Sequence, residues 1–177
     1  MPRAATLHVG ASVLAPIRTP LGTFTAHFTA RGLARLDFPD RSKRSARRGK
    51  FSRQQTLWRA LTADAVLKIL SGKTPRGLPP CDLSGGSEFQ QAVWRELRQV
   101  PRGVTRSYGE IAASIGRPHA MRAVGSACGA NPIPLLIPCH RITRTNGPGG
   151  FSAGLAWKQR LLAVESRASP KMRSMHP

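Results

Sequence analysis

Apolar positions along this chain change period between its first and second parts. Thr23-Phe24-Thr25-Ala26-His27-Phe28 alternates every second residue, Arg31-Gly32 supplies a turn, and Ala34, Leu36 and Phe38 alternate again. A period of two lines one face of a sheet, so this segment predicts a hairpin. Leu57, Leu61, Ala65 and Ile69 then recur at four-residue steps ahead of Gly72, which predicts an amphipathic helix and its stop. The stretch 74–86 is rich in Pro and Gly and reads as a linker.

The second part is patterned as helices. Ser87 and Gln90 stand at capping-box spacing, Phe89, Val93 and Leu97 form a buried face, and Pro101 ends the segment. Ser107 and Glu110 repeat that spacing and open a short helix through Ile111 and Ile115 to Gly116. A third helix is expected from Pro118, a favoured first-turn residue, to about Gly129. Two short helices joined by Gly116-Arg117 predict a helix-turn-helix, with a following strand and Gly147-Pro148-Gly149-Gly150 as a wing. The apolar run Leu135-Leu136-Ile137 reads as a buried strand whose end presents Pro138-Cys139-His140-Arg141-Ile142 at a fixed place.

Length and composition bound the rest. The 177 residues suffice for one domain or two small ones, and no run of 18 apolar residues could span a bilayer. With no convincing leader pattern near Arg3, His8 and Gly10, the expected location is cytoplasmic. Cys81, Cys128 and Cys139 include no CxxC pair, so neither a disulfide framework nor a zinc site is expected. The 28 Lys and Arg against 8 Asp and Glu give a net +20, which predicts attraction to a polyanion with strong salt dependence. Residues 41–53 carry seven of those cations, and Arg167, Lys171 and Arg173 stand in the tail after Ser166. Both segments read as solvated. About half the net charge remains on the folded body.

The second helix of the helix-turn-helix, the candidate DNA reader, has an unusual surface. Ala120, Ala123, Gly125, Ser126 and Ala127 are small, and Arg122 is the one long charged side chain between Pro118 and Gly129. Base-edge readout in the major groove uses several Arg, Asn or Gln side chains, whereas a smooth face suits the narrow minor groove. Close packing inside the domain is the alternative reading of the same residues.

From Phe89 to Glu165 the chain resembles the O6-alkylguanine-DNA alkyltransferases, also called methylated-DNA-protein-cysteine methyltransferases. The resemblance is carried by Phe89-Gln90 with Val93-Trp94, Pro101-Arg102-Gly103 with Ser107-Tyr108-Gly109, Arg122-Ala123-Val124-Gly125, Asn131-Pro132, Ile137-Pro138-Cys139-His140-Arg141, and Leu161-Leu162 with Glu165. Pro20-Leu21-Gly22 and Gly32-Leu33 are also similar to the family's N-terminal part. It implies an α+β architecture: a small ribonuclease H-like α/β domain over 1–85, a winged helix-turn-helix domain over 86–168, and a basic tail at 169–177.

Attack at an alkyl carbon with a purine leaving group needs a thiolate, and a free thiol, with a pKa of about 8.5, is ionised only to a few per cent near neutrality. Cys139 is the candidate nucleophile. His140 is its neighbour, yet consecutive residues of an extended strand face opposite ways, so either the chain turns there or a water bridges them. The resemblance implies the water-mediated route, with His140 as base and Glu165, the one acid after Cys139, orienting the imidazole. It further implies that duplex DNA carrying O6-alkylguanine, and O4-alkylthymine, is the partner and that the damaged nucleotide is flipped out. Arg122 would fill the vacated stack, while Ala120, Met121, Ala123, Gly125 and Ser126 face the groove. Tyr108 would assist at the flipped nucleotide and Asn131 would sit at the hinge before the active-site strand. Pro134, Ile142, Phe151 and Ser152 would line the pocket.

The implied protein is a monomer that acts once per chain, without cofactor or metal. Three departures from the family pattern stand out. Met121 occupies a position where the family usually has a small residue, Phe151-Ser152-Ala153-Gly154 replaces the commoner Tyr-Ser-Gly-Gly or Tyr-Ala-Gly-Gly, and the cysteines and histidines of the first part do not form the zinc cluster found in some relatives. Three other classes compete with this reading: a non-catalytic lesion-binding protein, a cysteine hydrolase, and a winged-helix regulator. None of them accounts for Pro-Cys-His-Arg together with the basic helix-turn-helix.

Overall fold

The computed structural model describes residues 12–39, 50–144 and 147–168. Most of the basic segment 41–53 and the tail 169–177 lie outside these residues. The fold is mixed α/β, with its strands concentrated in the first third of the chain.

Three antiparallel strands, β1 (Val13–Thr19), β2 (Gly22–Phe28) and β3 (Leu33–Asp37), form a sheet in the order β1-β2-β3. The period-two pattern buries Phe24, Ala26 and Phe28 of β2 and Ala34 and Leu36 of β3, and Leu33 is buried besides, next to a register shift opposite Phe28. β1 adds a strand that alternation alone does not announce, because Pro16 interrupts it. Pro16 is tolerated there since β1 is an edge and a missing N–H breaks no central ladder.

Ser52 opens α1 (Arg53–Leu70) through a reciprocal capping box with Gln55, so the basic segment gives way to helix at Arg53. The buried face of α1 differs from the expected one. Thr62, Ala65 and Val66 are buried with Trp58 and Ile69 packed behind them, while Leu57 is 54% exposed. Trp58, Thr62, Ala65 and Ile69 follow the same three-to-four spacing on a stripe rotated from the Leu57–Leu61 line, and the large indole wins the inward position.

Residues of the 74–86 stretch run beside β3. Leu33 N–H donates to Pro80 O (2.8 Å) and Asp82 N–H to Leu33 O (2.8 Å). After it come α2 (Glu88–Leu97), β4 (Arg106–Ser107), α3 (Tyr108–Ser114), α4 (Met121–Gly129), β5 (Ile142–Thr143) and α5 (Leu155–Ala168). The capping boxes at Ser87/Gln90 and Ser107/Glu110 are both formed. Gly116, at φ +69°, supplies the left-handed residue that ends α3. α4 begins at Met121 rather than Pro118, since residues 118–120 form a turn and Ala120 is its N-terminal flank.

One contiguous core joins the two parts. Trp94 of α2, fully buried, donates from Nε1 to Ala127 O of α4 at 2.8 Å. Leu36 N–H of β3 donates to Pro132 O at 2.9 Å, tying the sheet to the loop ahead of Cys139. Phe24 and Phe38 of the sheet side pack on Trp157 of α5, and Phe38 meets Phe151 edge-on at 5.7 Å. Among the described residues, no helix is long and apolar enough to cross a membrane.

Candidate active site

Residues 131–140 are buried without exception. The segment expected as a strand is instead a tight interior turn. Pro132, Pro134 and Pro138 have no N–H to give a ladder, so the apolar run cannot pair as a sheet. It folds back on itself, with Pro134 bridged to Ile137 and Ile137 N–H donating to Ile133 O at 2.9 Å. Leu135 takes φ 78°, a conformation that costs a side-chain-bearing residue about 1–3 kcal/mol and is held here by its surroundings.

The Asn131 side chain holds this turn from within. Its Oδ1 accepts from Ile133 N–H (3.0 Å), and its Nδ2 donates to Ile137 O (2.8 Å) and to Cys139 Sγ (3.0 Å). Cys139, His140 and Arg141 then make one turn of 3-10 helix. The chain does turn at Cys139, but the turn makes no hydrogen bond between its sulfur and the His140 ring.

His140 is fully buried, and its Nε2 lies 2.9 Å from Glu165 Oε1. Glu165, 1% exposed on α5, also accepts from Arg141 Nη2 (2.8 Å), Arg141 Nε (3.0 Å) and the Gly103 N–H (3.2 Å). Arg141 Nη1 donates onward to Val100 O at 2.7 Å. Burial pushes the Glu165 carboxyl up, but the His140 and Arg141 hydrogen bonds outweigh it and leave the pKa at about 2. Burial lowers the pKa of His140 against the raising effect of Glu165. A neutral imidazole beside a carboxylate must carry its proton on Nε2, the nitrogen that donates to Glu165. Its Nδ1 is then a lone-pair acceptor, buried and with no hydrogen-bond partner among the described residues.

Burial pushes the Cys139 thiol up to about 11, against the lowering effects of the Asn131 hydrogen bond and the Lys158 charge. The resting sulfur therefore keeps its proton near neutrality, and a base is needed to take it. Cys128, also buried, is pushed up to about 12.

Lys158 is the functional candidate that sequence reasoning missed. It is fully buried on α5 and donates from Nζ to Ile142 O (2.5 Å) and Gly150 O (3.2 Å). A signal was available: Lys158, Leu161 and Glu165 stand at three- and four-residue steps, which puts Lys on the inward face of a helix.

The remaining expected residues fall into two groups. Tyr108 is half-buried at the start of α3, its ring between Gly125 of α4 and Gly149. A Cβ at Gly149 would lie 2.9 Å from the phenol oxygen, so glycine there leaves room for the ring. Burial raises the Tyr108 pKa. Pro134 and Ile142 are buried, Phe151 is half-buried and edge-on to His140 at 6.3 Å, and Ser152 is exposed. On α4, Met121, Arg122, Ala123 and Ser126 are exposed while Val124, Ala127 and Cys128 face inward. Ala120, ahead of the helix, and Gly125 are half-buried. The Arg122 side chain joins no hydrogen bond among the described residues, which leaves it free to reach outward. No group of three or more His, Cys, Asp or Glu is arranged to hold a metal among those residues.

The family described as "6-O-methylguanine DNA methyltransferase, DNA binding domain" matches residues 88–167. A methylated-DNA-protein-cysteine methyltransferase of Methanosarcina barkeri is 38% identical over 153 residues, covering 84% of this chain and 94% of that protein. One from Mycolicibacterium paratuberculosis is 57% identical over 86 residues, which is 48% of this chain and 52% of the relative. The chain thus spans about half the length of the first curated relatives it matches. A crystal structure of Mycobacterium tuberculosis OGT in complex with DNA superposes with a TM-score of 0.73 at 34% identity, covering 88% of this chain and 94% of the other.

Proposed function

The chain belongs to the methylated-DNA-protein-cysteine methyltransferase family, and from that membership we propose that it repairs DNA by taking an alkyl group permanently onto Cys139. The substrate is a duplex carrying O6-alkylguanine, or O4-alkylthymine, whose damaged nucleotide is rotated out of the stack at a cost of a few kcal/mol. The observation that carries this reading is the buried His140, which donates to Glu165 through Nε2 and keeps Nδ1 for a proton.

In the proposed reaction a water relays the Cys139 proton to His140 Nδ1. Glu165, fixed by Arg141 and Gly103, stabilises the resulting imidazolium. The Asn131 amide hydrogen-bonds the developing thiolate. Sulfur then forms a bond to the alkyl carbon as the carbon–O6 bond breaks, and the leaving purine takes a proton or hydrogen bonds from Tyr108 and the Ser152 region. No step restores the thiol, so each chain acts once.

Arg122, at the exposed start of α4, enters the space left by the flipped base. Ala120, Met121, Ala123, Gly125 and Ser126 line the groove contact. Pro134, Ile142 and Phe151 shape the pocket wall. In this reading residues 1–85 are a ribonuclease H-like domain, supported by the antiparallel sheet with α1 against it, and 86–168 a winged helix-turn-helix, supported by α3, the Gly116 turn and α4. The protein works as a cytoplasmic monomer without metal or cofactor.

Intact mass spectrometry tests the proposal. Mixing the protein with a duplex containing O6-methylguanine should add one methyl group per chain, mapped to Cys139, with no further turnover. A gel shift without mass gain would instead support a non-catalytic protein that binds alkyl lesions.

A further inference from the structure

A cavity of about 270 Å³ opens beside Glu165 without Cys139 or His140 in its lining. It forms where residues just after α1 and at the end of α2 meet the 135–138 turn. Its charge is one-sided. Lys73, Arg98 and Arg102 line it, and none of the three has an ion pair among the described residues. The one carboxylate in the wall, Glu165, is already engaged by Arg141 and His140. Arg102 Nη2 is buried with no hydrogen-bond acceptor, 3.3 Å from where a Cβ on Gly72 would stand. An unsatisfied buried donor costs about 1–3 kcal/mol, and a charged one more. The rest of the wall includes apolar Ile69, Leu78 and Leu136.

Three unpaired cations above an apolar floor fit one kind of ligand. We propose that this cavity binds a phosphoryl group carried on a small molecule with an apolar body. Guanidinium forks match the oxygens of a phosphate, and a dianion neutralises more of the local charge than a carboxylate does. A backbone phosphate of DNA shares that chemistry, so competition must separate the two sources. The site needs neither a lesion nor the Cys139 thiol, and its test is independent of alkyl transfer.

The probe is phenyl phosphate, titrated into the full chain labelled with 15N-arginine. Side-chain resonances of Arg98 and Arg102 should shift saturably at one equivalent. By calorimetry, Arg98→Gln/Arg102→Gln should bind at least roughly tenfold more weakly, the equivalent of one lost charge-assisted hydrogen bond. A control with the same charge change at exposed positions, Arg18→Gln/Arg160→Gln, should bind as the parent does. Equal binding by both double variants would reduce the interaction to diffuse attraction and overturn the proposal. Displacement of phenyl phosphate by one equivalent of unmodified duplex would overturn it in favour of a DNA backbone contact. Should the Arg98/Arg102 variant fail to fold, Arg98→Gln alone, at an exposed position, and the resonance shifts of the parent chain decide.

Discussion

Asn131 Nδ2 and Cys139 Sγ lie 3.0 Å apart, and the same amide nitrogen holds the Ile137 carbonyl at 2.8 Å. One side chain thus braces the turn and also favours the ionised sulfur at its end, against the effect of burial. Replacing it by Ala removes a hydrogen bond worth about 1.5–3 kcal/mol to a thiolate, so alkyl transfer should slow by roughly ten- to a hundredfold. Labelling by iodoacetamide offers an independent readout. For the parent chain the rate should keep rising with pH towards about 11, and Asn131→Ala should shift the profile to still higher pH. A parent profile that levels off near pH 8 would contradict the buried, protonated thiol.

Glu165, paired with His140, carries part of the acid stability. Its folded pKa of about 2 lies below the ordinary value of 4.5, so its stabilisation is complete above pH 4.5 and is lost as pH falls towards 2. The lowered His140 pKa acts with the same sign, beginning below its ordinary 6.5. Thermal melts from pH 7 downward should therefore show a steep loss of stability that Glu165→Gln flattens. Glu165→Ala should slow thiol alkylation with little loss of DNA affinity, and unchanged single-turnover kinetics would remove Glu165 from the mechanism.

Lys158 joins the Ile142 and Gly150 carbonyls on the two sides of the 143–149 segment. Lys158→Met would strand both carbonyls, at about 1–3 kcal/mol for each left unsatisfied, and would withdraw a positive charge that favours the Cys139 thiolate. The expected result is a lower melting temperature together with slower alkyl transfer. Lys158→Arg keeps the charge, so a rate recovered in that variant without recovered stability would separate the two effects.

Arg122 is exposed and outside the hydrogen-bonded cluster around Cys139. Arg122→Ala should therefore impair repair of a lesion in duplex DNA far more than reaction with a free O6-substituted guanine. Equal loss on both substrates, measured by mass gain, would reject a role in the vacated stack.

Much of this arrangement was legible in the sequence, and the misreadings have physical causes. Period-two alternation located β2 and β3, and the Ser-x-x-Gln and Ser-x-x-Glu boxes located α2 and α3, because these are local signals. Cys139, His140 and Glu165 could be singled out by motif and by the scarcity of acids. The 131–138 turn could not be read as one, since Leu-Leu-Ile looks like a strand until the three flanking prolines and the Asn131 side chain are given geometry. Leu57 misled because periodicity fixes the step along a helix but not which of two adjacent stripes the sheet receives. Lys158 escaped notice because buried lysines are rare and its acceptors are backbone carbonyls, invisible in a sequence.

The Leu36–Pro132 hydrogen bond and the aromatic file Phe38–Phe151–His140 make the two parts of the chain a matched pair. Shuffling amino-terminal parts among relatives is then a problem of fitting a keystone: a foreign sheet must offer both a donor to Pro132 and a ring of the right size against Phe151. Grafts lacking either should fold but hold the 131–138 turn loosely, visible as faster hydrogen exchange at residues 133–140 than in grafts that keep both.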